Sequence, residues 1–171
     1  MTRRAALAAL ICCGAAAVSA GCAPTIHLEP QPAANDASCA DVSVRLPDTV
    51  GGLERIWTDA QATAAWGDDD GAAVIFSCGA DTPTPSTLQC VSIGGVDWIV
   101  DETDQPKLLL TAYGRAPSAE VYVDTTRVSS NDVLDAVGNA TLNLEKTGEC
   151  TTPDEATQVE EDAPTTSGGA G

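Results

Sequence analysis

The chain has 171 residues, with 25 acidic side chains against eight basic ones and a formal net charge of −17. A surface of that sign repels polyanions, which excludes nucleic acid as a partner. With only six aromatic residues and one long apolar run, at the N-terminus, the composition leaves room for a single modest core.

Arg3 and Arg4 open the chain, a mostly alanine run follows from Ala5 to Ala20, and Val18-Ser19-Ala20-Gly21-Cys22 closes it. That run is about 16 residues, short of the ~20 a spanning helix needs, so it reads as a cleaved signal. Small side chains at Ala20 and Gly21 suit a signal peptidase, and the Cys22 thiol is positioned to receive diacylglycerol. The expectation is a lipoprotein signal over 1–21 and an address at the outer face of a cytoplasmic membrane. An ordinary secretory signal cut near Ala20, leaving Cys22 a plain cysteine, is the simpler alternative. Residues 22–37 carry Pro24, Pro30 and Pro32 and read as a lipidated cysteine followed by a flexible spacer.

A single domain is expected over 38–150. Ser38-Cys39-Ala40-Asp41 resembles a capping box, and Pro47 stops the helix it starts. Leu53 to Trp57 reads as a strand after the Gly51-Gly52 turn. Thr58-Asp59-Ala60-Gln61 looks like a second cap, predicting a helix through the alanines that stops at Gly67. Asp68-Asp69-Asp70-Gly71 is a turn, and the apolar run Ala72 to Cys78 is a buried strand. Gly79 to Ser86, with Pro83 and Pro85, is a loop. Leu88 to Ile93 and Val96 to Val100 flank Gly94-Gly95, the signature of a two-residue hairpin that sets Val91 opposite Trp98. Lys107 to Tyr113 and Ala119 to Asp124 supply two more strands. Ser129 or Ser130 caps a last helix whose Val133, Leu134 and Val137 form an apolar stripe. Together these predict an α+β fold, an antiparallel sheet of five to six strands with two or three short helices packed on one face. From Thr151 the chain holds five acids and no Lys or Arg, so 151–171 reads as a disordered acidic tail.

Of seven cysteines, Cys12 and Cys13 leave with the signal and Cys22 takes the lipid. Cys39, Cys78, Cys90 and Cys150 remain, an even number for an oxidising compartment, so two structural disulfides are expected. Three pairings are open; the preferred one staples Cys78–Cys90 across neighbouring strands and ties the domain ends through Cys39–Cys150. No Cys-x-x-Cys suggests redox chemistry, and the spacings are too long for zinc.

The succession Cys39, Leu46-Pro47, Ala65-Trp66-Gly67-Asp68, Cys78-Gly79 and Gly95-Val96-Asp97-Trp98 resembles the actinobacterial domain-of-unknown-function 3515 family. Tyr113-Gly114-Arg115 and Glu120-Val121-Tyr122-Val123 continue the resemblance over nearly the whole domain. It implies an envelope protein, often with a lipoprotein-type signal, and carries over no catalytic residue.

His27 is the only histidine and lies in the spacer, so a Ser–His–Asp or Cys–His arrangement within the domain is excluded. The consecutive acids Asp68-Asp69-Asp70 lack the alternation of a calcium loop. No metal or cofactor is expected. Trp66 and Trp98 read first as core residues; the sharper reading places them with Tyr113 and Arg115 on a recognition surface. The functional expectation is a lipid-anchored, non-enzymatic envelope module that binds another protein or a cell-wall component. A carboxylate-dependent hydrolase of wall material is the alternative, recognisable by two acids converging in a deep cleft.

Overall fold

The computed structural model describes residues 25–84 and 87–151. The expected signal, the lipidated Cys22 and the acidic tail beyond Thr151 lie outside them. Among the described residues the order is β1 (Thr25–Ile26), α1 (Ala37–Ser43), β2 (Thr49–Val50), β3 (Leu53–Thr58), β4 (Thr63–Asp68), β5 (Gly71–Ala80), β6 (Gln89–Ile93), β7 (Val96–Asp101), β8 (Lys107–Tyr113), β9 (Arg115–Ala116), β10 (Ser118–Asp124), α2 (Ser130–Thr141) and β11 (Glu145–Lys146).

Nine of the strands form one sheet, ordered β1-β3-β4-β5-β10-β8-β7-β6, with β2 also on β3. It has more strands than the five to six expected, and it is mixed, because β1 runs parallel to β3. The additional strands are β1, β2 and β4. Strand β4 occupies the stretch read as an alanine helix. Alanine favours helix only weakly, whereas here Ala64 and Trp66 pair with Phe76 and Val74 of β5 and bury completely. The supposed cap is used elsewhere: the Asp59 carboxylate accepts from Leu28 N–H and His27, and the turn from β3 is closed by Thr63 Oγ1 donating to the Ala60 carbonyl.

Alternation divides the sheet into two faces. Val74, Phe76, Cys78, Val121, Val123, Leu110, Trp98 and Val100 point to one side and, with Val133, Leu134 and Val137 of α2, make the core. Helix α1 lies on this side too, joined to β5 by the Cys39–Cys78 disulfide, and it touches α2. Its cap is Asp36, which accepts from Ser38 N–H and Oγ, two residues before the expected one. Ser129 caps α2, and the β6–β7 hairpin has the expected register, Val91 opposite Trp98.

The disulfides are Cys39–Cys78 and Cys90–Cys150, with Cα–Cα distances of 5.5 and 6.4 Å. The preferred Cys78–Cys90 and Cys39–Cys150 pairing is therefore corrected. It assumed that sequence neighbours β5 and β6 are spatial neighbours, but β10, β8 and β7 lie between them. Four strand intervals are ~19 Å, far beyond disulfide reach.

The expected spacer is also corrected, because residues from Thr25 onward belong to the fold. Asp59 clamps His27 and Leu28, Ala33 N–H donates to the Gly79 carbonyl at 2.9 Å, and Ala34 is buried. Gly79 permits this crossing: at φ +105° it has no Cβ where one would meet Ala34 N at 2.4 Å.

Candidate functional site

Among the described residues, the second face of the sheet carries no helix. Two rows of side chains cross its centre: Ser77, Glu120 and Thr111 in one, Ile75, Tyr122 and Leu109 in the next. The first row is polar and the second is apolar and aromatic, a consequence of the period-2 pattern in β5, β10 and β8. The N-terminal segment lies along one side of these rows. Gln31 Nε2 donates to Glu120 Oε2 at 2.7 Å and to Ser77 Oγ at 3.3 Å, so the segment is fastened to the platform.

The result is a shallow trough of about 220 Å³ between the segment and the sheet. A smaller hollow of about 70 Å³, lined by Asp101, Thr103 and Lys107, adjoins it across Tyr122 and Leu109. Lys107 Nζ sits 5.9 Å from the centre of the Tyr122 ring. Its ammonium is held above the ordinary lysine range, mainly by hydrogen bonding to Tyr122, with smaller help from Asp124 and Asp104. Asp101, at the rim, and Asp124, opposite Lys107 in the sheet, are each held below the usual carboxylate range by a threonine two residues on, whose hydroxyl and N–H both donate. Glu29 is exposed, Glu120 is half-buried, and both line the trough.

A second feature lies at the β1–β3 edge. A notch of about 500 Å³ is lined by Asp48, Arg55, Ile56, Trp57 and Thr58 among others. Trp57 is 74% exposed. The Arg55 guanidinium stands 5.9 Å from the Trp66 ring on one side and donates to the Leu46 carbonyl at 3.4 Å.

The expected recognition surface is not formed. Trp66 and Trp98 are fully buried, in β4 and β7, four strand positions apart. Each indole N–H is spent internally, on the Pro47 carbonyl at 3.0 Å and the Ile93 carbonyl at 3.1 Å. Arg115 is 8% exposed and donates to the Leu144 and Leu142 carbonyls just past α2, so it caps that helix and favours its dipole. Tyr113 is half-buried opposite Asp97. Core packing of the two tryptophans, the plainer reading, is what the structure has. Asp68 of the acidic turn binds Arg127 and the Asp70 N–H. Among the described residues no group of three or more His, Cys, Asp or Glu side chains is placed to hold a metal.

Sequence reasoning missed Trp57, Gln31, Glu120 and Tyr122 as site residues. The last two were readable by alternation, since Val121 and Val123 point to the core. Gln31 carried no signal at all.

A family model described as a protein of unknown function (DUF3515) matches residues 4–146. The chain belongs to that family. No curated protein and no solved structure matches it. No helix among the described residues is long and apolar enough to cross a membrane.

Proposed function

We propose, with membership of that family as the premise, that the chain is a cell-envelope lipoprotein of actinobacterial type. Cys22 carries the lipid at the outer face of the cytoplasmic membrane, and the domain acts as a binding or accessory module for an envelope protein or a cell-wall component. The observation that supports it most is the trough, where an apolar-aromatic row lies beside a polar row. That pairing suits a ligand with one apolar face and one polar edge. The signal supports the address: removing 1–21 leaves six basic residues against 25 acids, so anionic headgroups repel the domain and the lipid supplies the attachment.

The test is photocrosslinking in native cells, with photoreactive residues replacing Leu109 or Glu29 in the full chain. One recurrent protein or glycan adduct, weakened by Cys22→Ala, is expected. No adduct from either position would remove the trough from consideration.

A second reading, a carboxylate-dependent hydrolase of wall material, rests on Glu29 and Glu120, which line the same trough, but the trough is shallow and Glu29 exposed, short of the deep cleft that reading calls for. It requires release of soluble fragments from purified wall by the wild-type chain and loss of that release in Glu120→Gln.

A further inference from the structure

Trp57 is the unexplained residue of this fold. A side chain of that size normally buries most of its area, yet this one is 74% exposed at a sheet edge. Its Cα partner across the β1–β3 pairing is Thr25, and Cys22 precedes Thr25 by three residues. Three extended residues span at most ~11 Å. The stretch after Thr25 adds no slack, since β1 pairs with β3, Asp59 holds His27 and Leu28, and Ala34 is buried.

We propose that the β1–β3 edge is the membrane-facing surface of the domain, with Trp57 seated among the lipid headgroups beside the anchor. The inference rests on the reading that Cys22 is acylated, and it goes further by fixing how the domain stands on the bilayer. A bilayer surface is the occupant because the point of attachment lies within three residues of the strand that borders Trp57. Tryptophan is the side chain that settles best at that depth. Val44, 79% exposed and the other most exposed large hydrophobic side chain among the described residues, belongs to the same end: it is two residues from Leu46, whose carbonyl Arg55 binds.

Charge limits the approach to zwitterionic headgroups, because basic and acidic side chains are mixed along this edge. Arg45 and Arg55 are two of the six basic residues after Cys22. Of the nearby acids, Asp41 is paired with Arg45 and Asp59 accepts a hydrogen bond from His27, while Asp48 and Glu54 stand exposed at the same edge. The sheet then rises from the membrane edge-on, and β6, seven strand intervals from β1, stands ~34 Å away. The trough lies between these edges and stays open to the side.

The experiment uses the full acylated chain reconstituted in phosphatidylcholine vesicles whose acyl chains are brominated close to the headgroup. Part of the tryptophan emission is expected to be quenched, and that part is expected to disappear in Trp57→Phe. In the unacylated Cys22→Ala chain Trp57 is expected to be open to acrylamide, and in vesicles to be shielded from it. An acylated chain that floats with the vesicles yet shows no Trp57 quenching would overturn the proposed orientation and leave the lipoprotein reading standing. A wild-type chain with no lipid on Cys22 that does not float would overturn both. Sedimentation of Cys22→Ala as a dimer that shields Trp57 would assign the edge to a second copy and also overturn the proposal.

Discussion

Replacing each tryptophan by alanine separates the three sites by their energetics. Trp66 is fully buried and its indole N–H satisfies the Pro47 carbonyl. Truncating a buried Trp costs about 3–5 kcal/mol, and stripping that carbonyl of its donor adds roughly 1 kcal/mol. Trp98, equally buried and bound to the Ile93 carbonyl, falls in the same range. Trp57 covers only about a quarter of its surface. Out of roughly 250 Å² for a large ring, that is about 65 Å², or ~1.6 kcal/mol as an upper figure. Urea unfolding of the Cys22→Ala chain, followed by far-ultraviolet circular dichroism, measures all three as shifts in midpoint at constant slope. The expected order is a small loss for Trp57→Ala and losses at least twice as large for the other two. A Trp57→Ala loss equal to that of Trp66→Ala would refute the claim that Trp57 is a surface residue with its ring free for a ligand surface.

The disulfides give a second check: proteolysis without reduction should yield peptides joining Cys39 to Cys78 and Cys90 to Cys150, and any Cys78–Cys90 peptide would contradict the strand order. With 39 and 60 residues of separation, loss of either bridge should cost about 4 kcal/mol as a chain-entropy ceiling, seen as a lower Tm. Gly79→Ala forces a residue with a Cβ into φ +105° and against Ala34 N, which should cost about 2–3 kcal/mol and expose the segment around Ala33 to protease. Retained stability and protease resistance would mean the segment does not cross there. On acidification, the lowered Asp59 favours the fold above its ordinary pKa of 3.8, and that contribution fades as pH falls through the lower folded-state value, because Leu28 N–H and His27 release the carboxyl. Asp36, Asp101 and Asp124 act in the same direction through Ser38, Thr103 and Thr126. The raised Lys107 contributes below 10.5 and its contribution fades as pH rises through its higher folded value. Denaturation across pH should therefore show a plateau between those limits, and Asp59→Asn should flatten part of the acid limb.

Much of the sheet could be read from the chain because its signals were local. Gly94-Gly95 between two apolar runs determined the β6–β7 hairpin and its register, and the period-3.6 stripe of Val133, Leu134 and Val137 marked α2. The failures lie where long-range pairing decides. Thr63–Asp68 is alanine-rich and locally helical in character, yet the slot between β3 and β5 demands a strand with small residues that bury on both faces. The order β5-β10-β8-β7-β6 separates Cys78 from Cys90, a topology that spacing alone does not encode. The prolines of the N-terminal segment suggested a spacer, but Gln31 finds Glu120 and Ala34 finds Gly79 only once the sheet exists. For the site, composition pointed to the tryptophans without saying which one faces outward; a fully paired central strand buried Trp66, and an edge left Trp57 bare.

The most direct test of this account is the mass of the N-terminal peptide from protein extracted out of native membranes. It predicts a mature chain that begins at Cys22 and carries diacylglycerol on the Cys22 sulfur. A chain that begins elsewhere, with an unmodified Cys22 and recovery from the culture medium, would contradict it.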